Sequence, residues 1–295
     1  MAWLELSVKA HADQLADIEV ALEELGALSI TLEDAADAPI LEPAPGETPV
    51  WPTIALSALF ASDSDRADLV AALIARMPAL ATHPPICRDI ADQDWTRVWM
   101  DRFGPMQFGR RLWIYPSTIE PPADEAAIVV RLDPGLAFGS GTHPTTALCL
   151  EWLDAVEPAG LTVIDYGCGS GVLAIAALKL GATHALGIDN DPQALVASRD
   201  NAVRNGVADR LDLATPENAS GISSDLLMAN ILAGPLSELA PHLAMSVKPG
   251  GRLALSGILQ SQQDELLERY RTWFENLNVT VREDWLRIDG TRRTH

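Results

Sequence analysis

The chain has few cysteines, few basic residues and no long apolar run. It contains three cysteines in 295 residues, too few and too far apart for a disulfide framework or a zinc site. We therefore expect Cys87, Cys149 and Cys168 to be reduced packing residues. Apolar runs are shorter than the roughly 18 to 20 residues of a membrane span, and residues 1–30 lack a basic-then-apolar signal pattern. The sequence predicts a soluble, cytoplasmic protein that does not bind membranes.

Basic side chains are also scarce. The chain has 21 Lys and Arg against 41 Asp and Glu, a formal net charge of −20. Such a charge repels nucleic acid phosphates, so RNA or DNA is disfavoured as a direct partner. The same field attracts a lysine-rich protein, although acidity can also serve solubility alone. We expect a monomer that acts on a protein.

The length fits about two domains, and the first ninety residues alternate strand, helix and strand twice. This order is typical of a small α+β domain of the ferredoxin-like kind. The predicted strands cover residues 3–8, 27–32, 53–60 and 86–90, and the predicted helices cover residues 12–25 and 63–77. We assign residues 1–91 to this domain, 92–125 to an interdomain linker and 126–295 to a second domain.

From about Ile128, strands alternate with helices, which is typical of a parallel sheet covered by helices on both faces. The sequence thus predicts an α/β fold with a Rossmann-like sheet. Its predicted strands are residues 162–166, 185–188, 211–214, 226–229 and 252–256, with one last strand near 279–288.

A glycine-rich turn follows the strand at 162–166 and leads into a helix. The segment runs from Asp165 through Gly167 and Gly169 to Gly171. Glycines allow a tight turn and close approach to a ligand, and the helix start offers backbone N–H groups. Asp189 ends the next strand about 20 residues later, where a carboxylate binds ribose hydroxyls. The pattern predicts a nucleotide-like ligand.

Two ligand classes fit this pattern. Gly169, Gly171 and Ala174 also match dinucleotide spacing, so a nicotinamide cofactor is one interpretation. However, Asp165 stands directly before the loop, where its charge is unfavourable beside a pyrophosphate and favourable beside an ammonium or sulfonium group. The residues favour a cationic ligand over a dinucleotide.

Two further segments place polar groups near the same edge of the sheet. Asn230 directly follows a predicted strand, where its carboxamide either lines the pocket or caps a helix. Upstream, residues 133–146 form a glycine-containing loop that leads into a helix with hydroxyls in its first turn. Thr145 either caps this helix or binds a polar end of the ligand, with Phe138 covering an apolar face. His143 in the same loop is either a base or structural.

Several of these segments resemble the ribosomal protein L11 methyltransferases, the PrmA family. The resemblance rests on residues 138–146, 165–179, 187–206 and 230–243, with 94–103 and 255–258 as further matches. It covers the chain from about Gln93 onward, whereas residues 1–90 match in length and layout more than in detail.

The resemblance implies a class I methyltransferase fold that uses S-adenosyl-L-methionine. It also implies transfer of methyl groups to lysine side chains and the N-terminal amine of large-subunit ribosomal protein L11. The family's cofactor contacts match Thr145, Gly167, Asp189 and Asn230, to which the residues themselves add Asp165, Gly169 and Phe138. Asn230 is the candidate that holds the amine, and the N-terminal domain is the expected recognition module.

Three other functions share parts of these patterns. A methyltransferase acting on RNA or a small molecule would use the same cofactor site. A dehydrogenase would bind a nicotinamide cofactor in the glycine loop. A scaffold that only binds a ribosomal protein would tolerate loss of that loop.

Overall fold

The computed structural model describes residues 3–35, 50–90, 104–122, 127–133, 143–219 and 221–294. The chain forms two compact units, Met1–Trp95 and Thr96–His295. Among the described residues, every helix is too short or too polar to cross a membrane.

The first unit is a four-stranded antiparallel sheet with two helices. The elements are β1 (Trp3–His11), α1 (Leu15–Glu24), β2 (Ser29–Asp34), β3 (Thr53–Ala61), α2 (Arg66–Arg76) and β4 (Ile86–Ile90). The strands lie in the order β2, β3, β1, β4, which together with the helix positions is the ferredoxin-like arrangement that the sequence predicts.

Alternation of apolar residues produces this unit. In β1, Leu4, Leu6 and Val8 are buried on the face that packs in one core with Ile18 of α1 and Leu73 of α2. Successive side chains of a strand point to opposite faces, so apolar residues at every second position all face the helices.

The second unit is built on a seven-stranded sheet. Its strands are β8 (Thr162–Tyr166), β9 (His184–Ile188), β10 (Leu211–Ala214), β11 (Ser224–Asn230), β12 (Val247–Leu259), β13 (Phe274–Arg282) and β14 (Trp285–Arg292). They lie in the order β10, β9, β8, β11, β12, β14, β13. The first five in this order pair in parallel, whereas β14 is antiparallel to both β12 and β13. The predicted Rossmann-like sheet is confirmed.

Helices cover both faces of this sheet. They are α3 (Pro144–Val156), α4 (Val172–Lys179), α5 (Pro192–Arg204), α6 (Ala233–Glu238), α7 (Ala240–Met245) and α8 (Gln263–Tyr270). Val163 of β8 packs in one core with α3 and α4, while its neighbour Ile164 packs in the other with α6, α7 and α8. A strand buried on both faces needs apolar residues in succession, which explains the short apolar run that marks β8.

The prediction of one last strand near residues 279–288 was wrong. The structure has two strands there, and the hairpin turn between them contains Glu283 with a φ of 54°. A turn of Glu283 and Asp284 lacks the glycine, proline or asparagine that usually marks a hairpin in a sequence. The predicted parallel sheet therefore carries an antiparallel hairpin at one edge.

Part of the predicted interdomain linker forms short strands. Within residues 92–125, β5 (Met106–Phe108) and β6 (Leu112–Tyr115) form a small sheet with β7 (Ile128–Arg131). Phe108, Leu112 and Ile114 lie in the core of the second unit. Strands of three or four residues are too short for a clear alternating pattern, so the sequence did not show them.

All three cysteines are free, as the sequence predicts. Cys149 and Cys168 are buried, and burial raises the pKa of both thiols to about 12. They are protonated at neutral pH and act as packing residues.

Candidate functional site

The glycine turn lies at the carboxyl end of β8 and is fixed to the neighbouring strand. The backbone N–H groups of Gly167 and Cys168 both donate to the carbonyl of Ile188 in β9, at 2.7 and 3.0 Å. Gly167 has a φ of 77°, and a Cβ atom there would lie 2.2 Å from Cγ2 of Ile231. At this position only glycine fits both the backbone conformation and the available space.

Asp189 holds the same loop from the end of β9. Its Oδ2 atom accepts a hydrogen bond from the N–H of Gly169 at 2.9 Å, and Oδ1 accepts one from the N–H of Asp191 at 3.0 Å. Each carboxylate oxygen can accept two hydrogen bonds. Asp189 therefore keeps capacity for hydroxyl donors of a ligand while it fixes the glycine turn.

Asp165 is completely buried in β8. Its Oδ2 atom accepts a hydrogen bond from the N–H of Ala174 in the first turn of α4, at 3.0 Å. Its Oδ1 atom is buried and has no hydrogen-bond partner within the described part of the chain. Burial raises the pKa of Asp165 to about 7, against the hydrogen bond from Ala174, and the charge of Asp189 adds to the rise. A cationic group beside this carboxyl would favour its ionised form.

Two side chains of α5, which the sequence analysis missed, hold the far side of the turn. Ser198 Oγ donates to the carbonyl of Gly169, and Asn201 Nδ2 donates to the carbonyl of Ser170, both at 2.9 Å. Ser198 and Asn201 are buried and one helical turn apart. Polar residues on the buried face of an amphipathic helix are the signal that would have revealed them.

Asn230 is the last residue of β11, and it does not cap a helix. The next helix, α6, begins at Ala233 with Leu232 as its N-cap residue. Asn230 Nδ2 donates to the hydroxyl of Thr146 in α3 at 3.3 Å, while Oδ1 is buried without a partner among the described residues. An unsatisfied buried acceptor costs about 1–3 kcal/mol, so a ligand that donates to Oδ1 would remove this cost.

Thr145 is buried in the first turn of α3, but it does not cap the helix. The N-cap is His143, whose Nδ1 atom accepts a hydrogen bond from the N–H of Thr145 at 3.3 Å and lies 2.7 Å from its hydroxyl. The imidazole packs edge-on against Trp285, with ring centroids 5.0 Å apart, and burial lowers the pKa of His143. His143 thus has a structural role as the N-cap of α3. Phe138 lies outside the described residues.

Asp165, Asp189 and Asn230 lie at the carboxyl ends of three adjacent strands, β8, β9 and β11. Ligands of open α/β sheets bind at this edge, where the strand order reverses. The reversal here lies between β8 and β11. All three side chains offer acceptors, and Asp165 and Asn230 each have a buried oxygen without a partner among the described residues.

Such a set fits a ligand that carries positive charge and several N–H or O–H donors. S-adenosyl-L-methionine has a sulfonium, an ammonium and ribose hydroxyls, and so matches these acceptors. A dinucleotide pyrophosphate would instead lie beside Asp165 with the same sign of charge. Within the described ranges, no group of three or more His, Cys, Asp or Glu could hold a metal ion.

Comparisons with known proteins find several similar chains. The family model described as ribosomal protein L11 methyltransferase (PrmA) matches residues 2–293. The chain is 53% identical to the ribosomal protein L11 methyltransferase of Shewanella denitrificans over 298 residues, with 99% of this chain and 100% of that protein covered. The corresponding protein of Actinobacillus pleuropneumoniae serotype 3 is 51% identical over 294 residues, again with 99% and 100% covered.

A solved structure is similar as well. The crystal structure of ribosomal protein L11 methylase from Lactobacillus delbrueckii subsp. bulgaricus aligns with a TM-score of 0.60 and 32% identity. The alignment covers 65% of this chain and 100% of that structure.

Proposed function

Since the chain belongs to the ribosomal protein L11 methyltransferase family, PrmA, we propose that it methylates amines of ribosomal protein L11. It is a methyltransferase with a class I fold, and S-adenosyl-L-methionine is its cofactor. The observation that carries the proposal is the family match, which extends over residues 2–293. The finer proposal is that the acceptors are lysine side chains and the N-terminal amine.

We propose that Asn230 contacts the cofactor together with residues of the glycine turn and of α3. Asp189 accepts the ribose hydroxyls, and Gly167 and Gly169 allow the backbone to approach the ligand closely. Asp165 faces the positive charge of the ligand with its unpartnered oxygen. Thr145 in the first turn of α3 binds a polar end of the ligand. Phe138, although outside the described residues, remains our candidate for covering an apolar face.

Asn230 is the proposed catalytic residue, and its Oδ1 atom holds the amine. When bound, the cofactor supplies a methyl group on a positively charged sulfur. Asn230 would hold a neutral amine with its lone pair toward that methyl group, and the electron pair of the broken carbon–sulfur bond would stay with the cofactor. The nitrogen becomes positively charged and later releases a proton to water. Alignment of the lone pair with the breaking bond is the main contribution of such a site.

A lysine must lose its proton before it can react, because its ordinary pKa is about 10.4. Removal from water and a nearby positive charge both lower the pKa of an amine. A hydrogen bond from the amine to Asn230 Oδ1 leaves the nitrogen lone pair free for attack. This arrangement requires no dedicated base, in agreement with the capping role of His143.

The first unit is the proposed recognition module. Its residues 1–95 contain 17 acidic and 4 basic side chains, a net charge of −13 of the total −20. Such a field attracts a partner with exposed lysines and repels RNA phosphates. We retain residues 1–91 as the recognition domain and 126–295 as the catalytic domain in this proposal, together with a cytoplasmic location, where ribosomes are made, and a monomeric state.

The test is mass spectrometry of unmethylated ribosomal protein L11 after incubation with this protein and S-adenosyl-L-methionine. We expect mass gains in steps of one methyl group, mapped by fragmentation to lysines and the N-terminus. An Asn230→Ala variant tests the role of Asn230. It should lose most of the mass gain of L11 while it still binds the cofactor.

Two results would contradict the proposal in different ways. If L11 gains no mass although cofactor binding is measured independently, the proposed substrate is wrong. If Asn230→Ala methylates L11 at near the original rate, the role of Asn230 is wrong and the substrate stands.

A further inference from the structure

The carboxamide of Asn230 is held at one end only. Its nitrogen, Nδ2, donates to the hydroxyl oxygen of Thr146 at 3.3 Å, and its oxygen, Oδ1, is buried with no partner among the described residues. The two residues are 84 positions apart in the chain, and Thr146 is 1% exposed. The contact therefore joins the end of β11 to the first turn of α3 inside the protein.

This contact fixes the place of the amide. The Thr146 hydroxyl accepts from Nδ2, so the nitrogen lies on the α3 side. A hydroxyl can also donate, so the contact holds the amide in position whichever of its two ends faces α3. With the nitrogen on the α3 side, the acceptor end of the amide is left for another donor.

We propose that Thr146 is a positioning residue, which holds the carboxamide of Asn230 with Oδ1 directed to the amine of the substrate. The inference rests on the proposed role of Asn230. Thr146 does not touch the amine or the cofactor in this scheme. It acts only by fixing the position of the Asn230 side chain.

Helix α3 gives Thr146 a fixed position, because the hairpin of β13 and β14 holds the helix. Arg287 of β14 is 9% exposed and donates to the carbonyl of Leu148 in α3 at 2.8 Å. Arg282 of β13 donates to both carboxylate oxygens of Glu151, at 2.8 and 3.0 Å. These bonds are made two and five residues after Thr146, within about one and a half turns, and restrict movement of the helix on the sheet.

Adjacent threonines then have separate partners. The hydroxyl of Thr145 lies 2.7 Å from Nδ1 of His143, whereas that of Thr146 contacts Asn230. Successive residues of a helix point about 100° apart because there are 3.6 residues per turn. Substitutions of Thr146 therefore change the Asn230 contact and leave the Thr145 contact in place.

The test compares Thr146→Val, Thr146→Ser, Asn230→Ala and the double variant Thr146→Val/Asn230→Ala. Valine keeps the shape of threonine and removes the hydroxyl. We expect Thr146→Val to lower kcat about 10- to 100-fold, since a loss of alignment of this kind has such an effect. The Kd for S-adenosylhomocysteine should change less than about twofold, whereas Thr146→Ser should keep kcat within about threefold of the original protein.

The double variant separates positioning from a general loss of structure. If Thr146 acts only through Asn230, Thr146→Val should add nothing to the loss already caused by Asn230→Ala, because the two residues then work as a unit. Thr162→Val is the matched control, since it also removes a side-chain hydroxyl that is hydrogen-bonded to another side chain, at the opposite end of β8. It should leave kcat within about twofold while it destabilises the fold.

Three results would decide against the inference. If Asn230→Ala lowers kcat and Thr146→Val does not, Thr146 does not position the amide. If the two losses multiply in the double variant, Thr146 acts independently of Asn230. If Asn230→Ala itself keeps the original rate, the proposed function of Asn230 fails first, and the inference fails with it.

Discussion

Gly257 lies against the backbone of Ile231, and no side chain fits between them. A Cβ atom at Gly257 would lie 2.3 Å from the carbonyl oxygen of Ile231 and 2.8 Å from its carbonyl carbon. On the other side, the Ile231 side chain fills the space that a Cβ atom at Gly167 would need. The residue that follows Asn230 is thus packed between the glycine turn and β12.

Gly257→Ala should therefore reduce both stability and activity. The φ of 83° costs an alanine about 1–2 kcal/mol, and the clash with backbone adds about 1–3 kcal/mol. Displacement of Ile231 should also move Asn230 and lower kcat about tenfold or more. Chemical denaturation and methyl-transfer assays would measure the two effects.

Gly250→Ala is the control for the backbone cost. Gly250 lies in the same strand with a φ of 77°, and a Cβ atom there meets only Thr294 Cγ2 at 3.9 Å. The Gly250→Ala protein should lose about 1–2 kcal/mol of stability and keep its kcat. Equal effects of the two substitutions would show that the approach to Ile231 is unimportant.

Asp189→Ala should weaken cofactor binding more than it lowers the rate at saturation. It removes the acceptor for Gly169 N–H and the proposed acceptor for ribose hydroxyls, and hydrogen bonds to a charged group contribute about 1.5–3 kcal/mol each. We expect the Kd for S-adenosylhomocysteine, measured by calorimetry, to rise about 10- to 100-fold.

Asp191→Ala removes the same charge two residues away. Asp191 caps α5 by accepting from the N–H of Gln193 at 2.8 Å, so its loss should cost about 1 kcal/mol of stability. The cofactor Kd should stay within about twofold. A similar loss of affinity in both variants would indicate a general effect of charge and not a contact of Asp189.

Asp165→Asn should stabilise the cofactor-free protein by a larger margin at pH 8 than at pH 5. The folded pKa of Asp165, about 7, lies above the value of about 3.9 in an unfolded chain. Its protonated form thus contributes stability that is fully present below pH 4 and is lost as the pH rises through 7. The asparagine does not ionise, so the variant avoids this loss.

Unfolding midpoints of both proteins at pH 5 and pH 8 would test this. Groups that titrate equally in the two proteins, such as His143, cancel in the difference. Binding of S-adenosylhomocysteine should be weaker in the variant, because its ammonium group loses a carboxylate partner. A stability difference that does not change between the two pH values would contradict the raised pKa.

Loss of either α5 contact should weaken cofactor binding through the glycine turn. Ser198→Ala and Asn201→Ala each remove one hydrogen bond to a loop carbonyl, and such a bond contributes about 1 kcal/mol. The loop would then sample other conformations, and we expect the cofactor Kd to rise about fivefold in each variant.

Ser224→Ala is the matched control for Ser198→Ala. Ser224 is also buried and donates to a backbone carbonyl, that of Leu226 at 2.6 Å, but it lies at the amino end of β11. The Ser224→Ala protein should lose about as much stability as Ser198→Ala and bind the cofactor normally. A Ser198→Ala protein with unchanged affinity would reduce Ser198 to a purely structural role.

The main strands and helices, the glycine turn and the polar residues at the strand ends follow from local sequence patterns. The strand at Thr162–Tyr166 and the strand at Leu211–Ala214 were predicted with correct ends, because apolar runs between glycine and polar residues are local signals. The last hairpin was missed because its turn has no glycine. Ser198, Asn201 and Thr146 were missed because each acts through a contact with a residue at least 29 positions away.

The sequence by itself determined most of the strands and helices, the glycine turn and the acids and amide at the strand ends. These features depend on side-chain period and on the conformational range of single residues, which are properties of short segments. Only the tertiary structure decided that Thr146 meets Asn230, that Ile231 is packed between two glycines and that burial raises the pKa of Asp165. Each of these depends on packing distances between segments far apart in the chain, which no local pattern records.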